Sequence, residues 1–78
     1  MVVRFTQHAL ERMKNRDISR KDVLDTINSP DRILKDAVGN DISQRVIGGY
    51  LIRVFHRKAN GDILILTVYK TSKISKYK

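Results

Sequence analysis

The sequence predicts an α+β fold, with two N-terminal helices packed on one face of a twisted antiparallel sheet of about four strands. Three observations carry that prediction. Apolar residues recur at helical spacing between Thr6 and Ile27. Beyond Pro30 the period shortens to two, in short runs rich in β-branched and aromatic residues. The clusters between those runs are turn-forming and too short for a crossover, so successive strands pair as antiparallel neighbours.

Taken in order, residues 1–5 are apolar enough to add an edge strand. Thr6 is the N-cap of a first helix, in which Ala9, Leu10 and Met13 share the apolar face up to about Arg16. His8, Arg12 and Arg16 follow at four-residue steps along the border of that face. Ser19 caps a second helix, with Asp22 three residues on in a box-like arrangement. Val23, Leu24 and Ile27 make its buried face, and Asn28-Ser29-Pro30 ends it. Asp17, Asp22 and Asp25 read as caps and helix-surface charges.

Residues 32–36, 42–47, 50–57 and 63–70 read as strands. Val38-Gly39-Asn40-Asp41, Gly48-Gly49 and Ala59-Asn60-Gly61-Asp62 connect them, and Asn-Gly suits the two positive φ angles of a type I′ turn. With Asn60 and Gly61 as the loop, Ile52, Val54 and His56 share a face with Ile65, Thr67 and Tyr69. Leu51, Arg53, Phe55 and Arg57 then share the other with Leu64, Leu66, Val68 and Lys70. Both faces hold apolar residues, so the pattern leaves open which one the helices cover, and a single bulge would invert part of it.

The 78 residues form one domain, residues 1–78, with room for a modest core. There is no cysteine to form a disulfide or bind zinc as thiolate. With no signal-peptide pattern and no long apolar run, the expectation is a soluble cytoplasmic protein with no membrane partner.

Charge is the louder signal. The formal net charge is +8. Residues 1–41 carry eight Lys/Arg against seven acids, a net of +1, whereas residues 42–78 carry eight against Asp62 alone, a net of +7. Half of that excess lies within strand-like segments rather than in a tail, which marks a polyanion partner such as nucleic acid. Excess lysine serving only solubility is the plainer alternative.

His8 offers an imidazole able to exchange a proton near neutral pH, one turn from Arg12. Arg12 and Arg53 suit phosphate better than lysine does, because a guanidinium grips two oxygens at once. Arg53 interrupts the apolar run Tyr50-Leu51-Ile52-Arg53-Val54-Phe55, where its head must reach solvent, a partner or a ligand. A snorkelling side chain paired with an Asp is the alternative. Tyr69 and Tyr77 could stack on bases, or serve as core or cover. The run Lys70, Lys73, Lys76, Lys78 contains no acid. A Gly-rich phosphate loop ahead of a helix and a close histidine–carboxylate cluster are both missing from the sequence, which disfavours nucleotide hydrolysis and metal-dependent hydrolysis. No metal and no cofactor are expected. The chemistry these residues suit is metal-independent phosphodiester cleavage in RNA, with the 2′-hydroxyl as nucleophile and protein groups as base, acid and cationic stabiliser.

His8-Ala9-x-x-Arg12-Met13, then Arg16-x-Ile18-Ser19 and Asn28-Ser29-Pro30-Asp31, resembles a widespread family of small uncharacterised bacterial and archaeal proteins. Leu51-Ile52-Arg53-Val54-Phe55, Thr67-Val68-Tyr69 and Lys76-Tyr77 resemble that family's strand motifs. The family is grouped with the RelE/ParE-like toxins, within the barnase–EndoU–colicin–RelE fold. The resemblance implies RNA met on an open sheet face and metal-independent cleavage, on messenger RNA at the ribosome for some members. It implies His8 as base or acid, Arg12 and Arg53 as phosphate ligands, and Tyr69, Lys70 and Tyr77 as supporting groups. Catalytic roles are therefore expected of His8, Arg12, Arg53 and Tyr69, and RNA contacts of Arg16, Arg57, Lys70, Lys76 and Tyr77. His56 stands where relatives often have tyrosine, and its role stays open.

The resulting expectation is a small RelE-like endoribonuclease, a toxin whose partners are RNA or the ribosome and an antitoxin protein. A ParE-like gyrase-binding toxin without nuclease activity shares the fold but needs no histidine. A non-catalytic RNA- or DNA-binding module would depend steeply on salt and hardly on His8.

Overall fold

Two capped helices and a meander of turn-linked strands make the architecture of the computed structural model, which describes residues 2–77; Met1 and Lys78 lie outside the described residues. The elements are β1 (Val3–Phe5), α1 (Gln7–Asn15), α2 (Arg20–Asn28), β2 (Arg32–Lys35), β3 (Asp41–Ile47), β4 (Tyr50–Ala59) and β5 (Asp62–Thr71), followed by a 3-10 turn at Ile74–Lys76. The caps form as the sequence predicts. The Thr6 hydroxyl oxygen accepts from the Ala9 amide at 3.0 Å, and that of Ser19 from the Asp22 amide at 3.0 Å. Among the described residues no helix is long and apolar enough to cross a membrane.

The end of α1 is closed by an αL residue. Asp17 has φ 54°, the Ile18 amide donates to the Met13 carbonyl at 2.8 Å, and the Asp17 amide donates to the Lys14 carbonyl at 3.5 Å. This is a Schellman closure, with Asp17 where glycine is usual and the Met13–Ile18 apolar contact buried beneath it. Asp17 thus serves in the cap that ends α1, through its backbone rather than its charge.

The sheet has five strands in the order β1-β5-β4-β3-β2. The meander from β2 to β5 is antiparallel, but β1 pairs with β5 in parallel through Val3–Ile63, Arg4–Leu64 and Phe5–Ile65. The sheet is therefore mixed, and an edge strand precedes the helices. The cause is non-local: α1 and α2 carry the chain from β1 on one edge to β2 on the other, so β1 can only meet β5 at the end of the meander.

The β4–β5 hairpin turns on Asn60 (φ 55°) and Gly61 (φ 81°), with Ala59 paired to Asp62. Near the turn the expected register holds, with His56 opposite Ile65 and Arg57 opposite Leu64. Leu66 is then an extra residue on β5, and beyond it Phe55 pairs Thr67, Val54 pairs Val68, Arg53 pairs Tyr69 and Ile52 pairs Lys70. This bulge corrects the face assignment: Thr67 and Tyr69 join Leu51, Arg53 and Phe55, while Val68 and Lys70 join Ile52 and Val54.

The helices cover the face of Ile52, Val54, Ile65 and Val68, which pack with Ala9, Met13, Ile18 and Val23 into one core. Truncating one of these side chains, as in Ile65→Ala, should cost about 2–5 kcal/mol. Leu10 is 39% exposed rather than buried with its neighbours, because α1 meets the sheet along the narrow Ala9–Met13 seam.

Candidate functional site

Beyond the bulge, Arg53 and Tyr69 stand opposite one another on the sheet face away from the helices. Arg53 is half-buried and held on several sides. Its Nε donates to Oε1 of Gln44 at 3.2 Å, and its guanidinium lies 4.5 Å from the Tyr77 ring centre and 5.5 Å from that of Phe55. Gln44 is 2% exposed, and its Nε2 donates to the Tyr77 carbonyl at 3.1 Å. One buried amide therefore fixes both the arginine and the chain end that stacks on it. Tyr77 meets Tyr69 edge to face, with ring centres 6.0 Å apart.

The bulge also sets where α1 begins. The Thr6 hydroxyl donates to the Leu66 carbonyl at 2.9 Å, and the Thr6 amide donates to the Ile65 carbonyl at 3.0 Å. Since β1 pairs β5 only as far as Ile65, no strand among the described residues flanks the edge of β5 beyond Leu66. The helix layer and the outer sheet face meet around that free edge. His8 and Arg12, both exposed on α1, line with Arg53, Tyr69 and Tyr77 a cavity of about 480 Å³. Phe55, Thr67 and Val68 complete its wall.

A second cavity of about 420 Å³ lies along the same edge and shares Tyr69. Arg16 and Lys70 line it. The Lys70 ammonium is 4.6 Å from the Tyr50 ring centre and 3.5 Å from the Asp17 carbonyl oxygen. Among the described residues the ion pairs are Lys21–Asp25 and Lys35–Asp41, both remote from this edge. Arg12, Arg16, Arg53 and Lys70 thus face the cavities without a carboxylate partner among the described residues, and Arg53 bonds the neutral Gln44 rather than an Asp.

Hydrogen bonding from Tyr77, then from Thr71, holds the Tyr69 phenol below its ordinary range, with the charges of Lys76 and Arg16 acting the same way. Tyr77 is correspondingly raised, first by its bond to Tyr69. Lys76 sits beside this pair, its ammonium 5.7 Å from the Tyr77 ring centre.

Nearly all the residues singled out from the sequence converge on this edge. Arg57, Lys73 and Lys76 line neither cavity: Arg57 faces outward near the β4–β5 turn, and Lys76 reaches the edge only beside Tyr77. Lys78 lies outside the described residues. His56 is on the helix-covered face, with Nε2 2.8 Å from the Ser43 hydroxyl, and burial lowers its pKa while Asp41 opposes and Lys35 reinforces that shift. Gln44 escapes sequence reading because a polar residue at alternate strand positions normally faces solvent. Its only signal is that Ile42 and Val46, two residues either side, are apolar.

No curated protein and no solved structure shows significant similarity to the chain. Residues 5–70 match the family model described as a domain of unknown function, DUF4258, a span that includes both helices, the bulge and Arg53 opposite Tyr69. The chain belongs to the DUF4258 family.

Proposed function

We propose that this protein is a small RelE-like endoribonuclease that cuts RNA without a metal ion, acting as a toxin on free or ribosome-bound message and masked by an antitoxin protein. The observation that carries the reading is the cavity in which His8, Arg12, Arg53 and Tyr69 meet, with no carboxylate among the described residues paired to the arginines. Such a cavity suits an anion with a proton to be moved beside it.

In this reading the RNA 2′-hydroxyl oxygen bonds to the adjacent phosphorus as His8 takes its proton. Arg12 and Arg53 hold the non-bridging oxygens, whose charge grows in the transition state. The bond from phosphorus to the 5′-oxygen breaks, and the Tyr69 phenol gives that oxygen a proton. The products are a 2′,3′-cyclic phosphate and a 5′-hydroxyl.

The test is cleavage of RNA by purified protein, with the product ends identified, beside an RNA-end map from cells before and after induction. His8→Ala should slow cleavage by about 10²–10⁴-fold while leaving RNA bound. Undiminished cleavage by a folded His8→Ala, Arg53→Ala double variant would overturn the reading. Growth arrest with no new RNA ends would point instead to a protein target such as gyrase.

A further inference from the structure

His8 and Arg12 lie one turn apart on α1, about 6 Å along its axis, and Arg16 is the residue that caps its C-terminal end. The first two reach the larger cavity and the third reaches the smaller one. Tyr69, 37% exposed, is the wall between them. Each side of that wall repeats the same pair of elements, an unpaired cation and an aromatic ring. The larger cavity has Arg12 and Arg53 with Tyr77; the smaller has Arg16 and Lys70 with Tyr50, itself 44% exposed. Thr71 and Ser72 add hydroxyl groups to the smaller one. Nothing in the cleavage chemistry requires this second cavity, and its cations have no acidic partner among the described residues.

We infer that the smaller cavity is a second compartment of the same site, binding the nucleotide next to the scissile one, so that the substrate is single-stranded RNA spanning both compartments. The inference rests on the ribonuclease reading above and narrows its substrate. Phosphates repeat along a strand, so cations in two adjoining cavities suit a polynucleotide better than a single phosphate. Base stacking on Tyr50, Tyr69 and Tyr77 needs exposed base faces, which a duplex keeps within its own stack. The charge half of the recognition is sequence-blind and stacking tolerates every base, so discrimination among bases is expected to be weak.

The experiment is fluorescence anisotropy with 2′-O-methyl oligouridylates, which cannot be cleaved, as a labelled mononucleotide, dinucleotide and hexanucleotide. The dinucleotide should bind about tenfold more tightly than the mononucleotide. Arg16→Ala with Lys70→Ala should remove that step, and Lys58→Ala, opposite Ile63 near the β4–β5 turn, should leave the step intact. A length step that survives the double variant, or a duplex that binds as tightly as the single strand, would overturn the inference. If the wild type cleaves RNA yet shows no length step, the ribonuclease reading stands and the second compartment falls. If the wild type neither binds nor cleaves RNA, both fall.

Discussion

Arg53 faces Tyr69 directly across the β4–β5 ladder, and that opposition exists because Leu66 is an extra residue on β5. An unbroken register from the Asn60-Gly61 turn would set Arg53 opposite Val68 and leave Tyr69 on the face the helices cover. The bulge moves Tyr69 outward and Val68 inward in one step, which completes the core and the cavity together. Bulges commonly re-aim side chains beside functional sites, and here the re-aimed side chain is the wall shared by both cavities.

Gln44 is the group that holds Arg53 to this geometry. Gln44→Leu should leave the Arg53 Nε unsatisfied and free Tyr77, at a cost of about 1–3 kcal/mol in stability. RNA affinity should fall with it, because the guanidinium loses its fixed orientation. Arg53→Lys should not restore binding, since an ammonium has neither the Nε contact nor the planar fork. Urea denaturation and anisotropy on the same samples check both parts. Unchanged RNA affinity in a destabilised Gln44→Leu protein would limit Gln44 to a packing role.

Thr6 joins the helix to the bulge, accepting from Ala9 and donating to Leu66 through one hydroxyl. Thr6→Val keeps the shape and loses both bonds, so a loss of about 1–2 kcal/mol is expected, whereas Thr6→Ser should stay close to wild type. Since His8 is two residues further on, cleavage in Thr6→Val should fall more than the folded fraction does. Thermal melts paired with initial rates separate the two effects.

These contrasts explain what the sequence made legible. Thr6, Ser19 and Asn60-Gly61 act through bonds or dihedrals within a few residues, so their signals are local and the predicted elements form. The bulge has no local signature, because residues 63–68 are apolar on both faces apart from Thr67 and tolerate either register. The parallel pairing of β1 with β5 depends on contacts sixty residues apart, such as Val3 with Ile63. His8, Arg12, Arg53 and Tyr69 could be chosen as residue types suited to phosphate chemistry, but their shared cavity depends on that bulge and that edge.

His56 gives the fold a pH dependence distinct from that of its carboxylates. Burial lowers its pKa below the ordinary 6.5, so the folded protein binds this proton less readily than the unfolded chain. Its contribution is therefore fully present above pH 6.5 and is lost as pH falls through the lowered value. Asp41, lowered chiefly by its bond to Lys35, begins to lose its contribution only below its ordinary 3.8. Stability measured by urea midpoint should thus decline in two separate stages on acidification. His56→Gln, which can still bond Ser43, should abolish the first and keep the second. A first stage that persists in His56→Gln would assign it to another group.

Salt dependence separates the binding role of the arginines from the proton-transfer role of His8. For single-stranded RNA, each phosphate neutralised contributes about 0.7 to the slope of log affinity against log salt. Arg12→Ala and Arg53→Ala should each lower that slope by about 0.7 if each engages one phosphate. His8→Ala should leave the slope unchanged while cleavage falls by about 10²–10⁴-fold. The three variants therefore form a set in which affinity and rate move independently. A His8→Ala protein whose slope drops like that of the arginine variants would make His8 one more phosphate-binding cation. A protein whose rate follows its affinity in all three would have no dedicated proton-transfer group at this position.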